Sequence, residues 1–365
     1  MPTRASVITH RMKDSSLAAS GLFVCSLTLA MLTLAMSVCA TSAAARPNFL
    51  IILTDDHGYG DVSSYGASDV RTPHIDRIAK EGMLFTTMRS NCTVCSPSRA
   101  ALLTGRYADR VGVPGVIRTN PQDSWGYFDS NVPTLANLLA DAGYHTAIIG
   151  KWHLQMKFPG TIGQRDWTQP ITEGPTERGF DFYFGIPASM NYGVLTYVEN
   201  TRVTDPPSLW TRKKQDKERN TFRFMPPYEA ERQGPEDIEI APSFRDDACL
   251  RITTEKAVAY LAGRAPAAKA GTPFFLYLPL NSPHLPHSVA PEFVGQSRVG
   301  AYGDFMMETD HRVGQVLAAL DENGLTPNTL VFLSSDNGAE TGYAPRLTQY
   351  QHASSGEFKG GKRDI

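Results

Sequence analysis

Apolar runs of strand length alternate along this chain with helical patterns, and four of those runs end directly in ionisable or metal-competent residues. Asn48 to Leu53 is a continuous run suited to a buried parallel strand, and it leads into Thr54-Asp55-Asp56-His57-Gly58-Tyr59-Gly60-Asp61. Tyr144 to Ile149 runs into Gly150-Lys151-Trp152-His153, and Pro273 to Leu278 precedes Asn281-Ser282-Pro283-His284. Thr329 to Leu333 delivers Ser334-Ser335-Asp336-Asn337-Gly338. Between them, Thr72-Pro73 opens a short helix that Gly82 stops, and Val132-Pro133 opens another that ends at Gly143. A long amphipathic helix runs from about Tyr302 to Asn323, with Phe305, Met306, Val313, Val316, Leu317 and Leu320 inward and Gly324 as its cap. The pattern predicts an α/β fold with a mostly parallel central sheet flanked by helices. In open α/β sheets the ligand crevice lies at the carboxyl ends of the strands. The four clusters are therefore expected to converge on one site, although about 280 positions separate the first from the last.

Bulk properties allow this. A length of 365 residues suits one large or two moderate domains, and 41% hydrophobic with 10% aromatic residues supports an ordinary core. The net charge of −2, without a long run of one sign, gives no nucleic-acid footprint. Arg4, Arg11 and Lys13 precede an apolar run from about Leu17 to Val38, and small residues Ala40 to Ala45 follow. This is the pattern of a secretory signal peptide over residues 1–45, cleaved near Ala45, and it predicts an exported protein, periplasmic or extracellular, with no stable membrane span after cleavage. An uncleaved anchor is the alternative, and Cys39 sits in a poor context for lipidation. Cleavage leaves Cys92, Cys95 and Cys249, too few for a disulfide scaffold.

Cys95-Ser96-Pro97-Ser98-Arg99 looks like a helix start, with Ser96 as N-cap, Pro97 at the first helical position and Gly105 closing the helix. The cysteine is then at the positive end of the helix dipole, a place for a nucleophile meeting a phosphate- or sulfate-like group. A buried cap cysteine, a redox thiol in Cys92-Thr93-Val94-Cys95 and a zinc ligand are the rival readings. No second Cys pair follows for structural zinc, and no small βαβ unit surrounds the motif for a thioredoxin role. Asp55, Asp56, Asp336 and Asn337 supply hard oxygen ligands of the kind that suit Ca²⁺, with Mg²⁺ second; taken singly, Asp-Asn-Gly is also turn chemistry. Lys151, His153 and His284 add the cationic or proton-donating groups an anionic substrate needs. Arg99, one turn from Cys95, is placed to neutralise an anion formed there. His57 shapes its own loop, and His287 is a weaker candidate than His284.

Cys95-Ser96-Pro97-Ser98-Arg99-Ala100-Ala101-Leu102-Leu103-Thr104-Gly105-Arg106-Tyr107 closely resembles the sulfatase signature. The resemblance extends to Pro47-Asn48 through Asp56, Gly150-Lys151-Trp152-His153, Glu177-Arg178-Gly179-Phe180-Asp181, Ser282-Pro283-His284 and Asp336-Asn337-Gly338, over residues 46–365. It implies the alkaline-phosphatase-like sulfatase fold and hydrolysis of aryl or carbohydrate sulfate esters. It further implies that a dedicated formylglycine-generating enzyme oxidises Cys95 to formylglycine, whose hydrated form is the nucleophile. By the family pattern Asp55, Asp56, Asp336 and Asn337 hold Ca²⁺ together with residue 95. Arg99 and His153 support the diol, while Lys151, His284 and Lys362 hold the sulfate or protonate the leaving oxygen.

Two departures stand out. Gln155 follows Leu154 where a glycine is common, and the chain stops at Ile365, short of the small C-terminal antiparallel domain usual in the family. The expectation is a truncated sulfatase of weakened or absent activity, with Lys362 poorly ordered near a free end. Residues 155–245, rich in Pro, Gly and charge and including Arg212-Lys213-Lys214-Gln215-Asp216-Lys217, are expected to be a solvated surface segment or a lining of the substrate entrance. The alternatives to sulfate ester hydrolysis are a phosphonate or phosphate ester hydrolase of the same fold, and an inactive anion- or glycan-binding relative.

Overall fold

Continuous apolar character in Asn48 to Leu53 places the first strand in the middle of a sheet, and the computed structural model puts it there. The structure describes residues 46–340 and 342–364, so the expected signal peptide lies outside the described residues. The strands are β1 (Asn48–Asp55), β2 (His145–Ile149), β3 (Phe182–Gly185), β4 (Val194–Leu195), β5 (Val198–Glu199), β6 (Arg202–Val203), β7 (Leu209–Thr211), β8 (Lys214–Asp216), β9 (Thr221–Arg223), β10 (Ile238–Ile240), β11 (Phe274–Pro283) and β12 (Thr329–Ser335). Seven of them form the main sheet in the order β12-β1-β11-β2-β3-β5-β6. The pairs from β12 to β3 are parallel, and β5 and β6 add an antiparallel edge. The four strands predicted to carry the site are thus four consecutive neighbours, all pointing the same way.

Alternation along these strands builds a layer on each face. Leu50 and Ile52 of β1 and Leu276 and Leu278 of β11 face one layer, while Leu53, Phe275 and Tyr277 face the other. The helices are α1 (Pro73–Glu81), α2 (Cys95–Thr104), α3 (Leu135–Asp141), α4 (Cys249–Lys269), α5 (Gly300–Glu322) and α6 (Tyr343–Tyr350). Helices α4 and α5 cover the first face through Leu250, Ala257, Leu261, Phe305, Val313 and Val316. Helix α2 covers the second through Ala100 and Leu103. No helix among the described residues is long and apolar enough to cross a membrane.

Residues 155–245 depart from the expected solvated segment. They hold β3 to β10, including a three-stranded sheet in the order β4-β10-β7 and the β8–β9 hairpin. Ile186, Leu195, Phe224, Ile240 and Phe244 form a third apolar cluster there. Of the charged run, Asp216 is buried, with Arg219 and Arg223 on its carboxylate at 2.9 Å each. Short strands with polar outer faces gave no period long enough to read. Helix α4 was likewise unread, because its apolar positions are spaced mostly seven and four apart among Ala, Thr and charge.

Burial predicts unequal costs along the sheet. Leu276 is wholly buried, whereas Leu330 on edge strand β12 is 48% exposed. Leu276→Ala is expected to lower unfolding free energy by about 2–5 kcal/mol, and Leu330→Ala by about 1 kcal/mol or less. Urea denaturation of both variants, compared at equal m-value, checks the difference.

Candidate active site

Parallel register brings the carboxyl ends of β1 and β12 together, Thr54 opposite Ser335. The next residues turn inward. Asp336 N–H donates to Thr54 O at 3.1 Å, and Asp56 N–H donates to Asp336 Oδ1 at 3.3 Å. Asn337 Nδ2 donates to Asp56 Oδ1 at 2.7 Å. Asp55, Asp56, Asp336 and Asn337 are all buried. After β2, Gly150 makes the turn at φ 134°, and a Cβ there would lie 2.0 Å from Pro279 O, so the chain can deliver Lys151 only through glycine. Asp56 (φ 62°) and His153 (φ 56°) occupy the left-handed region, a strain that concentrates at functional sites.

Cations complete the cluster. Lys151 Nζ bonds Asp55 Oδ2, and Lys362 Nζ bonds Asp56 Oδ1 at 2.6 Å. Arg99 grips Asp336 Oδ2 through Nε at 2.9 Å and Nη2 at 2.8 Å, and donates from Nη1 to Lys151 O at 2.9 Å. One helical turn from Cys95, it is thus tied to the carboxylate cluster. His284 Nε2 lies 3.6 Å from Asp56 Oδ2. Asp55, Asp336 and Cys95 offer ligand atoms within 4.8 Å of one another, as do Asp55, Asp56 and His284. The structure thus brings together every candidate: Asp55, Asp56, Cys95, Arg99, Lys151, His153, His284, Asp336, Asn337 and Lys362.

Helix α2 differs in detail from the sequence expectation. Val94 is the N-cap, Cys95 the first helical residue and Pro97 the third, where a missing N–H is still harmless. Ser96 Oγ does not cap; it accepts the N–H of Ile117 at 3.0 Å. Gly105 ends the helix at φ 64°, as expected.

Electrostatics follow from this packing. Burial pushes the Asp55 carboxyl up, but Lys151, His284, Arg99 and Lys362 overcome it and hold the group well below the usual range. Burial, with Asp55 adding to it, pushes Asp336 up to about 6. Burial, with Lys151 and Arg99, drives His153 well below its ordinary value, leaving a neutral ring at pH 7. Burial raises the Cys95 thiol. Asp55 Oδ1 and Asn337 Oδ1 are buried without a hydrogen-bond partner, and both nitrogens of His153 are too. Two orphaned hard oxygens beside Asp56 and Asp336 are a donor set that a divalent cation would satisfy.

Comparison with known proteins agrees with this geometry. The sulfatase family model matches residues 47–363. The chain belongs to the sulfatase family. It is 32% identical to an N-acetylgalactosamine-6-O-sulfatase of Bacteroides thetaiotaomicron, over 87% of this chain and 64% of that protein. It is 33% identical to the steryl-sulfatase of Mus musculus, over 93% and 59%. A solved structure from the metabolism of multiple glycosaminoglycans by Bacteroides thetaiotaomicron superposes with a TM-score of 0.70 at 30% identity, covering 87% of this chain and 69% of that one. The chain therefore spans somewhat under two thirds of the length of the two curated relatives.

In this sulfatase chain Lys362 is buried, not the loosely held group expected near an end. Its backbone N–H donates to Ala339 O at 2.7 Å, and Gly60 N–H donates to Ser354 O at 2.7 Å. His352 bridges Asp61 at 2.7 Å and Asp69 at 2.9 Å, Tyr302 bonds Asp61, and Arg346 lies 3.5 Å over the Tyr302 ring. Sequence reasoning passed over His352, Tyr302 and Arg346; a lone histidine in a polar stretch carries no periodic signal. It also missed Tyr192, whose ring lies 5.5 Å from that of His153. Gln155 is buried, and its main-chain carbonyl accepts Trp152 Nε1–H at 2.7 Å, a bond that a glycine there would make equally.

Burial lowers His352, but Asp61 and then Asp69 overcome it and raise the group above 6.5. A histidine raised on folding contributes stability that is complete below about 6.5 and is lost as pH rises through the folded value. His352→Gln should therefore destabilise the protein most at pH 5–6 and least well above the folded value. Thermal melting across that range tests it; a gap between variant and parent that does not narrow with rising pH contradicts the assignment.

Proposed function

We propose that residues 46–365 form the catalytic domain of a sulfuric ester hydrolase for carbohydrate or aryl sulfates, acting through a formylglycine made from Cys95 and a Ca²⁺ ion. One observation carries the reading. Asp55 and Asp336 face Cys95 at ligand distance, with the orphaned oxygens of Asp55 and Asn337 alongside. Three carboxylates and three cations, Lys151, Arg99 and Lys362, nearly cancel in charge. A divalent ion held by Asp55, Asp56, Asp336 and Asn337 would turn this neutral cluster into an anion site, polarising the sulfate oxygens.

The chain's own residues then divide the work. Arg99 fixes Asp336 and, through Lys151 O, the turn after β2. Lys151 and Lys362 are the ammonium groups that can move from carboxylate to sulfate oxygen. His153, buried and neutral, offers one ring nitrogen as acceptor and one as donor among Lys151, Arg99 and Asp55, and would support the diol at residue 95. His284, just after β11 with Nε2 3.6 Å from Asp56 Oδ2, would give a proton to the leaving alcohol oxygen. Helix α2 presents residue 95 at its N-terminus, where partial positive charge favours the anionic group. Maturation requires a formylglycine-generating enzyme, and the segment over residues 1–45 supports export to the periplasm or beyond.

The relatives named above are a carbohydrate sulfatase and a steroid sulfatase, which supports a sulfate monoester as substrate. The test is to express residues 46–365 with a formylglycine-generating enzyme, verify the aldehyde at residue 95 by mass spectrometry, and assay nitrophenyl sulfate beside a nitrophenyl phosphonate ester. Sulfate turnover should exceed phosphonate turnover. It should fall at least ~10³-fold in Cys95→Ala, since the nucleophile is gone, and should respond to chelation and Ca²⁺ return. Faster phosphonate turnover would replace this reading with the phosphonate hydrolase. Aldehyde-bearing chain that binds sulfated glycan without turnover would replace it with the binding protein.

A further inference from the structure

The inner cluster meets one sulfate group, but the rim above it is also built. Ser96, beside Cys95, accepts Ile117 N–H, so the loop over residues 115–125 is tied to the start of α2. Within that loop Gly115 N–H donates to Trp125 O at 3.2 Å and Trp125 N–H to Val116 O at 2.9 Å. Ser124 Oγ accepts Arg118 N–H at 2.8 Å and donates to Arg118 O at 3.2 Å. Thr119 packs against Gly193 so closely that a Cβ there would lie 1.7 Å from its hydroxyl. Arg118 is thereby held with its guanidinium over Tyr192, Cζ 5.0 Å from the ring centroid, and Tyr192 in turn lies beside His153.

Some arginines of this chain pair with carboxylates, as Arg77 does with Asp321, Arg212 with Asp237 and Arg251 with Glu255, while exposed Arg89 and Arg232 lie over the rings of Phe358 and Trp210. Arg118 is exposed and has no carboxylate partner among the described residues. Arg363 is also exposed and without one; its backbone N–H donates to Thr93 O at 3.1 Å, and its charge, like that of Arg118, is felt by Tyr192. One face of the Arg118 plane is spent on the ring, which leaves the N–H edge free for a planar, two-point contact. Arg118 stands on Tyr192, which lies beside His153, and it pairs with none of the carboxylates of the inner cluster, so its edge addresses a part of the substrate other than the reacting sulfate.

We propose that Arg118, held on Tyr192 and supported by Arg363, is a subsite for a second anionic group, carboxylate or sulfate, on a carbohydrate sulfate ester. The chain would then select polyanionic sugars over singly charged ones. The proposal rests on the sulfate ester reading above. It is tested by calorimetric binding to the full chain carrying Cys95→Ala, so that no ligand turns over, loaded with Ca²⁺. Three probes serve: N-acetylgalactosamine 6-sulfate, the 4,6-disulfate, and a 6-sulfated disaccharide with a uronate.

Adding Arg118→Gln should lower the affinity ratio of a doubly to a singly charged probe about tenfold, the worth of one charge-assisted pair. Whichever doubly charged probe loses more identifies the second group as sulfate or carboxylate. Arg118→Lys should lower the ratio less, since it keeps charge and loses the two-point contact. An unchanged ratio in Arg118→Gln, with the 6-sulfate still bound, would overturn the subsite and leave the sulfate reading standing. A parent that binds none of the three probes would overturn both.

Discussion

Six charges share one end of the sheet with almost no water: Asp55, Asp56 and Asp336 against Lys151, Arg99 and Lys362, each at most 8% exposed. Each buried ion carries a desolvation penalty of roughly several kcal/mol, which mutual attraction offsets only when geometry and hydrogen bonds are good. The rest of the fold is arranged to meet that condition. β1 and β12 must be adjacent and parallel for the Asp56 N–H to reach the Asp336 carboxylate. β11 must lie on the other side of β1 for its trailing loop to bring His284 to Asp56. Helix α2 must begin at the same sheet end, or Arg99 could not reach both Asp336 and Lys151 O.

A cluster so constrained is also incomplete in a particular way. Its cations use one oxygen of Asp55 and leave the other buried and bare, together with the amide oxygen of Asn337. Unsatisfied buried oxygens are rare in folded proteins because each costs free energy. Here the donors of the cluster are turned to other oxygens, so a cation would be the natural partner of these two. Stability and the proposed ion binding are therefore one problem in this chain: Lys151, Arg99 and Lys362 hold the carboxylates together, and the orphaned oxygens would set where a metal ion enters.

Legibility in the sequence followed from physical range. The parallel strands were readable because burial on both faces makes their apolar runs continuous, as in Phe274 to Leu278. Convergence of Asp55, Lys151, His284 and Asp336 followed from a topological rule that needs only strand ends. Interactions set by tertiary packing left no such trace. Ser96 looks like a cap because serine usually is one, but a neighbouring loop claims its hydroxyl. Lys362 looked loosely held because proximity to an end is a one-dimensional property, whereas His352 between Asp61 and Asp69 anchors that segment in three dimensions. The short strands from 194 to 240 escaped because two or three residues are too few to establish a period.

The same division of range separates the two shells of the site. Inner groups stand on sheet ends and a helix N-terminus, positions that main-chain hydrogen bonds fix and that leave little room for variation. Rim groups stand on loop 115–125 and on the irregular stretch around Tyr192, which are tied to the inner shell through single contacts such as Ser96 to Ile117 and Thr119 to Gly193. Such a loop can change its side chains without disturbing the carboxylate cluster, because Arg118 lies on a ring face and is held by its own loop, with no carboxylate partner among the described residues. The proposed chemistry at residue 95 and the proposed recognition at Arg118 would then be separable in the fold, linked through the neighbouring rings of Tyr192 and His153 and through the Ser96–Ile117 hydrogen bond.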